Sequence, residues 1–119
     1  MLPDNLLLSQ FCAQYRNLDV NATGSVIKAA PGHLHNMVVT NNGAVTLFVK
    51  LYDKATTAVA ADTPLYTVGV PAGWVQPLIN DGEPIIFNLG IGVRCTTGVA
   101  DADNTSPTAN AAIMSAGFK

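Results

Sequence analysis

Apolar and polar residues alternate with a period of two along most of this chain, most clearly in residues 85–97, IIFNLGIGVRCTT. The odd positions there are Ile85, Phe87, Leu89, Ile91, Val93 and Cys95, and the even ones from 88 on are Asn88, Gly90, Gly92, Arg94 and Thr96. Successive strand side chains point to opposite faces, so the pattern predicts a strand with one apolar face and one small or polar face. No recurrence every three or four positions competes with it. An apolar face of that length needs a second layer, which makes this the expected central strand of a β-sandwich or barrel. Gly90 and Gly92 on the opposite face predict the close approach of another backbone or of a ring, with Trp74 and Phe48 the available rings.

The rest of the chain carries the punctuation of an all-β protein. Ser25 to Ala30 ends at the turn signal Pro31-Gly32, and His33 to Thr40 is rich in β-branched residues. Asn41-Asn42-Gly43 then predicts a hairpin into AVTLFVKLYDK. There Val45, Leu47, Val49 and Leu51 share one face, and Thr46, Phe48, Lys50 and Tyr52 form a second, amphipathic face expected to be partly covered. Residues 54–64 read as a loop, 65–70 as a strand, and 74–79 as an edge strand interrupted by Pro77. Asn80-Asp81-Gly82 is a further hairpin-type turn, 98–108 a long polar loop, and 110–118 a last strand. Seven to eight strands with turns every 8 to 12 residues predict an antiparallel two-sheet β-sandwich, jelly-roll-like, over residues 25–119.

The first 24 residues form an N-terminal arm in this reading. Leu8, Phe11, Cys12 and Tyr15 fall at helical spacing with Asp4 placed to cap a short helix, whereas YRNLDV alternates as an extended segment would. Either form leaves Leu6, Leu7, Leu8, Phe11 and Tyr15 as material for docking on the domain or on a neighbouring subunit. Trp74, in a Pro/Gly-rich turn, fits a core plug or an exposed anchor for a partner, a role in which tryptophan is enriched.

Composition narrows the function. The 119 residues suffice for one two-layer domain, yet only 12% are charged, against about 25% in a typical soluble domain, and the net charge is −2. So neutral a surface resists association poorly and favours assembly. Six Lys and Arg scattered singly offer no basic stripe for nucleic acid. No apolar run approaches the ~18 residues of a membrane span. The start, MLPDNLLLSQ, lacks the basic region of a signal peptide, so synthesis in a cytoplasm with reduced Cys12 and Cys95 is expected, Cys95 as a small core residue.

Candidate chemistry is thin. His33 and His35 would share a strand face, but no third or fourth metal ligand lies nearby in sequence. Asp101, Asp103 and Thr105 alternate like the opening of a calcium loop that lacks its glycine and closing glutamate, which favours a solvated surface loop. Gly90-Ile91-Gly92 has Cys95 where a dinucleotide fingerprint needs its third glycine. With no Gly-x-Ser-x-Gly elbow and dispersed carboxylates, neither an enzyme, a cofactor nor a small-molecule substrate is expected.

Several phrases together carry a resemblance: YRNLDVNATGSVIKAAPGHLHNMVVTNN, FVKLYDKAT, DTPLYTVGVPAG and FNLGIGVRCTTGVADADNTSPT. Over residues 15–119 the chain resembles a family of tailed-bacteriophage virion structural proteins, the capsid decoration or cement proteins. The resemblance implies a β-sandwich on the outside of the head, forming a homotrimer and clamping subunits of the major capsid protein. Its motifs are turns and strand faces, and no family binding residues carry over. The alternative is a virion binding module at a fibre or tail tip that recognises a host glycan or surface protein through loop 98–108 and Trp74.

Overall fold

A computed structural model of the chain describes residues 12–78 and 83–119. Leu6, Leu7, Leu8 and Phe11, expected to form an interface, lie outside the described residues, as does the turn expected at 80–82.

Among the described residues nine strands form two antiparallel sheets, one more than the upper end of the expected range. They are β1 (Ala13–Asn17), β2 (Ser25–Lys28), β3 (Gly32–Asn41), β4 (Leu47–Asp53), β5 (Tyr66–Val70), β6 (Val75–Leu78), β7 (Ile85–Phe87), β8 (Ile91–Thr96) and β9 (Ala112–Phe118). The first sheet runs β1-β9-β3-β6, with β7 also on β3, and the second runs β2-β8-β4-β5. β6 and β7 pair with successive parts of the same edge of β3, Met37–Thr40 and Gly32–Leu34, and so act as one interrupted strand. Counted that way, the pairs nest around β4–β5: β3 with β6/β7, then β2 with β8, then β1 with β9. A long antiparallel hairpin rolled up into two sheets produces this interleaving, the order of a jelly roll.

The expected central strand is two strands in different sheets. β7 lies on β3, whereas β8 is an interior strand between β2 and β4. The chain crosses between sheets at 88–90, where Leu89 is exposed although it falls in phase with the apolar face. The Asp53 carboxylate anchors the crossing by accepting from the Leu89 N–H at 2.8 Å. Gly90 is held between backbones: an added Cβ would stand 2.6 Å from Ala55 Cα and 2.8 Å from the Lys28 carbonyl oxygen. The close approach expected at this glycine is therefore by main chain, not by Trp74 or Phe48. Phe48 instead lies over Gly69.

One expected hairpin also changes. Asn41-Asn42-Gly43 carries the chain from one sheet to the other, because β3 and β4 do not pair. β6 and β7 both run antiparallel to β3 and so run in the same direction as each other. At the N-terminal side, β1 is already part of the first sheet and Val20 is in the core, so the sandwich includes residues assigned above to an arm. Tyr15 is extended and packs on the core, with its hydroxyl accepting from Asn17 Nδ2 at 2.9 Å. It is half-buried there.

Between the sheets, Met37, Val39, Phe87 and Met114 face Leu47, Val49, Ile91 and Val93, all buried. Ile85, Phe87, Ile91, Val93 and Cys95 are in this core, as their pattern predicts. Cys95 is among them, and burial pushes its thiol up to about 12. Cys12 and Cys95 are both free thiols.

Candidate interaction flank

Two surfaces of the sandwich stand out, one closed by the chain and one left open. On the outer side of the second sheet, Lys50, Tyr52, Arg94 and Thr96 point away from the core and are nevertheless buried. Loop 98–106 and the turn after Asn21 cover them. Arg94 donates from Nε to the Ala22 carbonyl (2.9 Å), from Nη1 to the Tyr52 hydroxyl (3.0 Å), and from Nη2 to the Asp103 carbonyl and Asn104 Oδ1. Lys50 Nζ donates to the Ala100 carbonyl, and Thr96 Oγ1 to the Gly98 carbonyl. Every buried side-chain nitrogen and oxygen among the described residues has a partner. The loop is solvated on its outer side, as expected, and on its inner side it is a lid whose backbone is stitched to two cations. Two carbonyls and one amide oxygen satisfy most of the guanidinium, which is how a charge with no contacting carboxylate is kept buried.

Burial holds the Lys50 amine below its ordinary value near 10.5, and Arg94 lowers it further, against opposing pulls from Asp103 and Asp101. Asp103 is held low chiefly by the Thr105 N–H that it accepts, despite the opposing effect of burial. Burial pushes Asp53 upward, but the N–H groups of Leu89, Asn88 and Gly90 together outweigh that and leave it below 3.8. Asp62 is low because Lys54 donates to it at 2.7 Å and the Val59 N–H at 2.8 Å. The charges nearest the second sheet's outer side therefore hold loops in place.

The open surface is the flank where β5, an edge of the second sheet, meets β6, an edge of the first. Pro71–Trp74 joins them in a β-turn closed by the Trp74 N–H on the Pro71 carbonyl (3.1 Å). Gly73 occupies the third position with φ 78°, the left-handed region such a turn requires and glycine adopts without strain. The turn holds Trp74 outward, 59% exposed, beside Val75 at the same exposure. Of the two roles open to Trp74 in the sequence, the exposed one is the one found. Leu65, Tyr66 and, from the turn after β3, Val45 are exposed as well. From Thr63 to Asn80 there is no Asp, Glu, Lys, Arg or His. A stretch that is at once uncharged and this rich in exposed apolar side chains has the composition of an interface core rather than of a solvated rim.

A buried asparagine positions this flank. Asn41 donates from Nδ2 to the carbonyls of Val45 and Val70, both at 2.8 Å, and its Oδ1 accepts the Gly43 N–H at 2.9 Å. Its main chain bonds to Trp74 and Gly73. One residue thereby braces the Trp74 turn, the end of β5 and the turn carrying Val45. The sequence marks Asn41 only as a turn residue, because its partners are 29 or more positions away for the bonds that matter most.

The other sequence candidates do not converge on a chemical site. His33 and His35 are exposed on β3 with ring centroids 6.2 Å apart, and no third His, Cys, Asp or Glu joins them among the described residues. A groove of about 610 Å³ between residues 22–24, 57–61 and 104–106 is lined by small side chains and holds no titratable group. No protein-family model, no curated protein and no solved structure matches the chain.

Proposed function

We propose that this chain is a virion structural protein that decorates the phage head, binding the major capsid protein on its outer surface and stabilising contacts between capsid subunits. The observation that supports this most is the β5–β6 flank, an uncharged strip presenting Trp74, Val75, Leu65 and Tyr66 on a rigid sandwich. A cement protein works by contact area, and a stable contact buries more than ~1,000 Å² in total with aromatic anchors near its centre. The closed outer side of the second sheet contributes rigidity: its charges are engaged with the chain's own loops, leaving few to solvate the surface.

Electron microscopy of virions with the protein present and with its gene deleted tests the reading. Density on the outside of the head should be present in the first and absent in the second. Purified protein should restore it, and a Trp74→Ala variant should restore less. Density confined to a tail or fibre, or binding of labelled protein to host cells without heads, would overturn the proposal in favour of a host-recognition module.

A further inference from the structure

Among the described residues the sandwich has five edge strands, and four of them carry features that block pairing with another strand. β1 bears Arg16, β2 bears Lys28 and a register shift before it, β6 is four residues long with Pro77 in it, and β7 has only three residues. β5, Tyr66-Thr67-Val68-Gly69-Val70, has no charge, no proline and no bulge, and pairs regularly with β4 through all five residues. In an antiparallel pair only alternate residues exchange backbone bonds with the neighbour, so the remaining N–H and C=O groups of β5 point outward along the edge. No described strand covers them.

We propose that this edge pairs with β5 of a second copy of the chain, antiparallel about a two-fold axis. A two-fold contact sets the same edge on both sides, so residues near the axis lie close to their own copies and a charge there meets a like charge; β5 and the turn after it have none. Centred on Val68, the register sets Tyr66 opposite Val70 and Thr67 opposite Gly69. Tyr66, Val68 and Val70 lie in register with Leu51, Val49 and Leu47 and so share the core-side face, where aromatic with β-branched pairs are favourable. The two four-stranded sheets become one continuous sheet, and Leu65 and Tyr66, exposed in one copy, are drawn toward the seam. This inference does not rest on the capsid reading: it takes Leu65 and Tyr66 into the seam and leaves Trp74 and Val75 for a head. It closes at two copies, where the resemblance to decoration proteins implies three.

Sedimentation equilibrium of the full chain tests it, with Thr67→Lys and Thr67→Glu as variants. Thr67 is exposed, and each change sets like charges at diagonal positions across the seam; because Thr67 stands opposite Lys50 within the monomer, urea denaturation of each variant checks that the fold is kept. The wild type should give a dimer of twice the 12.4 kDa chain. Each variant alone should dissociate at about tenfold higher concentration or more, and an equimolar mixture of the two should recover the dimer. A wild type that remains monomeric, a trimer indifferent to both variants, or a mixture that fails to recover pairing would overturn the proposal.

Discussion

The outer side of the second sheet and the β5–β6 flank solve the problem of exposure in opposite ways. On the first, long polar side chains are buried by folding the chain's own loops over them, and Arg94 alone reaches residues 22, 52, 103 and 104. On the second, apolar side chains are left in water on an edge that nothing in the described chain covers. Lys50 and Arg94 are thus drawn into internal bracing, while the β5–β6 flank carries no charge. A chain with only 12% charged residues and its longest cations on that side turned to its own loops is suited to holding a fixed shape while another surface covers the neutral flank.

The comparison can be broken most forcefully at Arg94. Replacing it with Met keeps the stem but strands the Tyr52 hydroxyl and the carbonyls of Ala22 and Asp103. Each stranded buried acceptor costs on the order of 1–3 kcal/mol, so a loss of about 4 kcal/mol is expected in urea denaturation, with loop 98–106 opening to proteolysis. Asn41→Ala removes the brace of the open flank. It should cost about 2 kcal/mol and, unlike Arg94→Met, should release the Trp74 turn, which tryptophan fluorescence anisotropy reads directly.

Lys50 separates the closed side from the rest by its pH response. Its amine is held below 10.5 in the fold, so the unfolded chain keeps that proton to higher pH than the folded one does. Stability from this group therefore rises as pH climbs through the lowered value and is complete above 10.5. Asp53 and Asp103 act at the other end: their lowered values contribute stability above 3.8 that is lost as pH falls through them. Lys50→Met should abolish the alkaline rise in the urea midpoint, leave the acid loss intact, and change neutral stability by no more than about 1 kcal/mol. Trp74→Ala sits at the bottom of the stability scale. With its ring mostly in water, it should cost under about 0.5 kcal/mol while reducing retention on heads, measured by co-sedimentation.

The strand content was legible because it is written locally. Strands occur in all seven segments expected from residue 25 on, Val93 and Cys95 are in the core, and the expected cover of the Phe48–Lys50–Tyr52 face holds for Lys50 and Tyr52. What stayed hidden depends on distance along the chain. Asn-Gly after β3 signals a reversal, yet nothing local says whether the next strand rejoins the same sheet, and here it crosses to the other. The 85–97 alternation continues in phase through a crossing between sheets, with exposed Leu89 as its one misfit. Arg94 reads as a polar-face residue, and its burial follows from loops whose residues lie up to 72 positions away. The exposed state of Trp74 was one of two readings, and only the turn geometry at Gly73 selects it.

The central claim is that the β5–β6 flank is the surface this protein meets its neighbours with, and that the lidded side is not. Amide hydrogen exchange on the free protein and on the protein bound to heads tests this most directly. The account predicts that binding slows exchange across residues 71–75, past the β5 amides that pairing of two copies already protects, and leaves 98–106 unchanged. Protection appearing at 98–106, with 71–75 exchanging as fast as in the free protein, would contradict it.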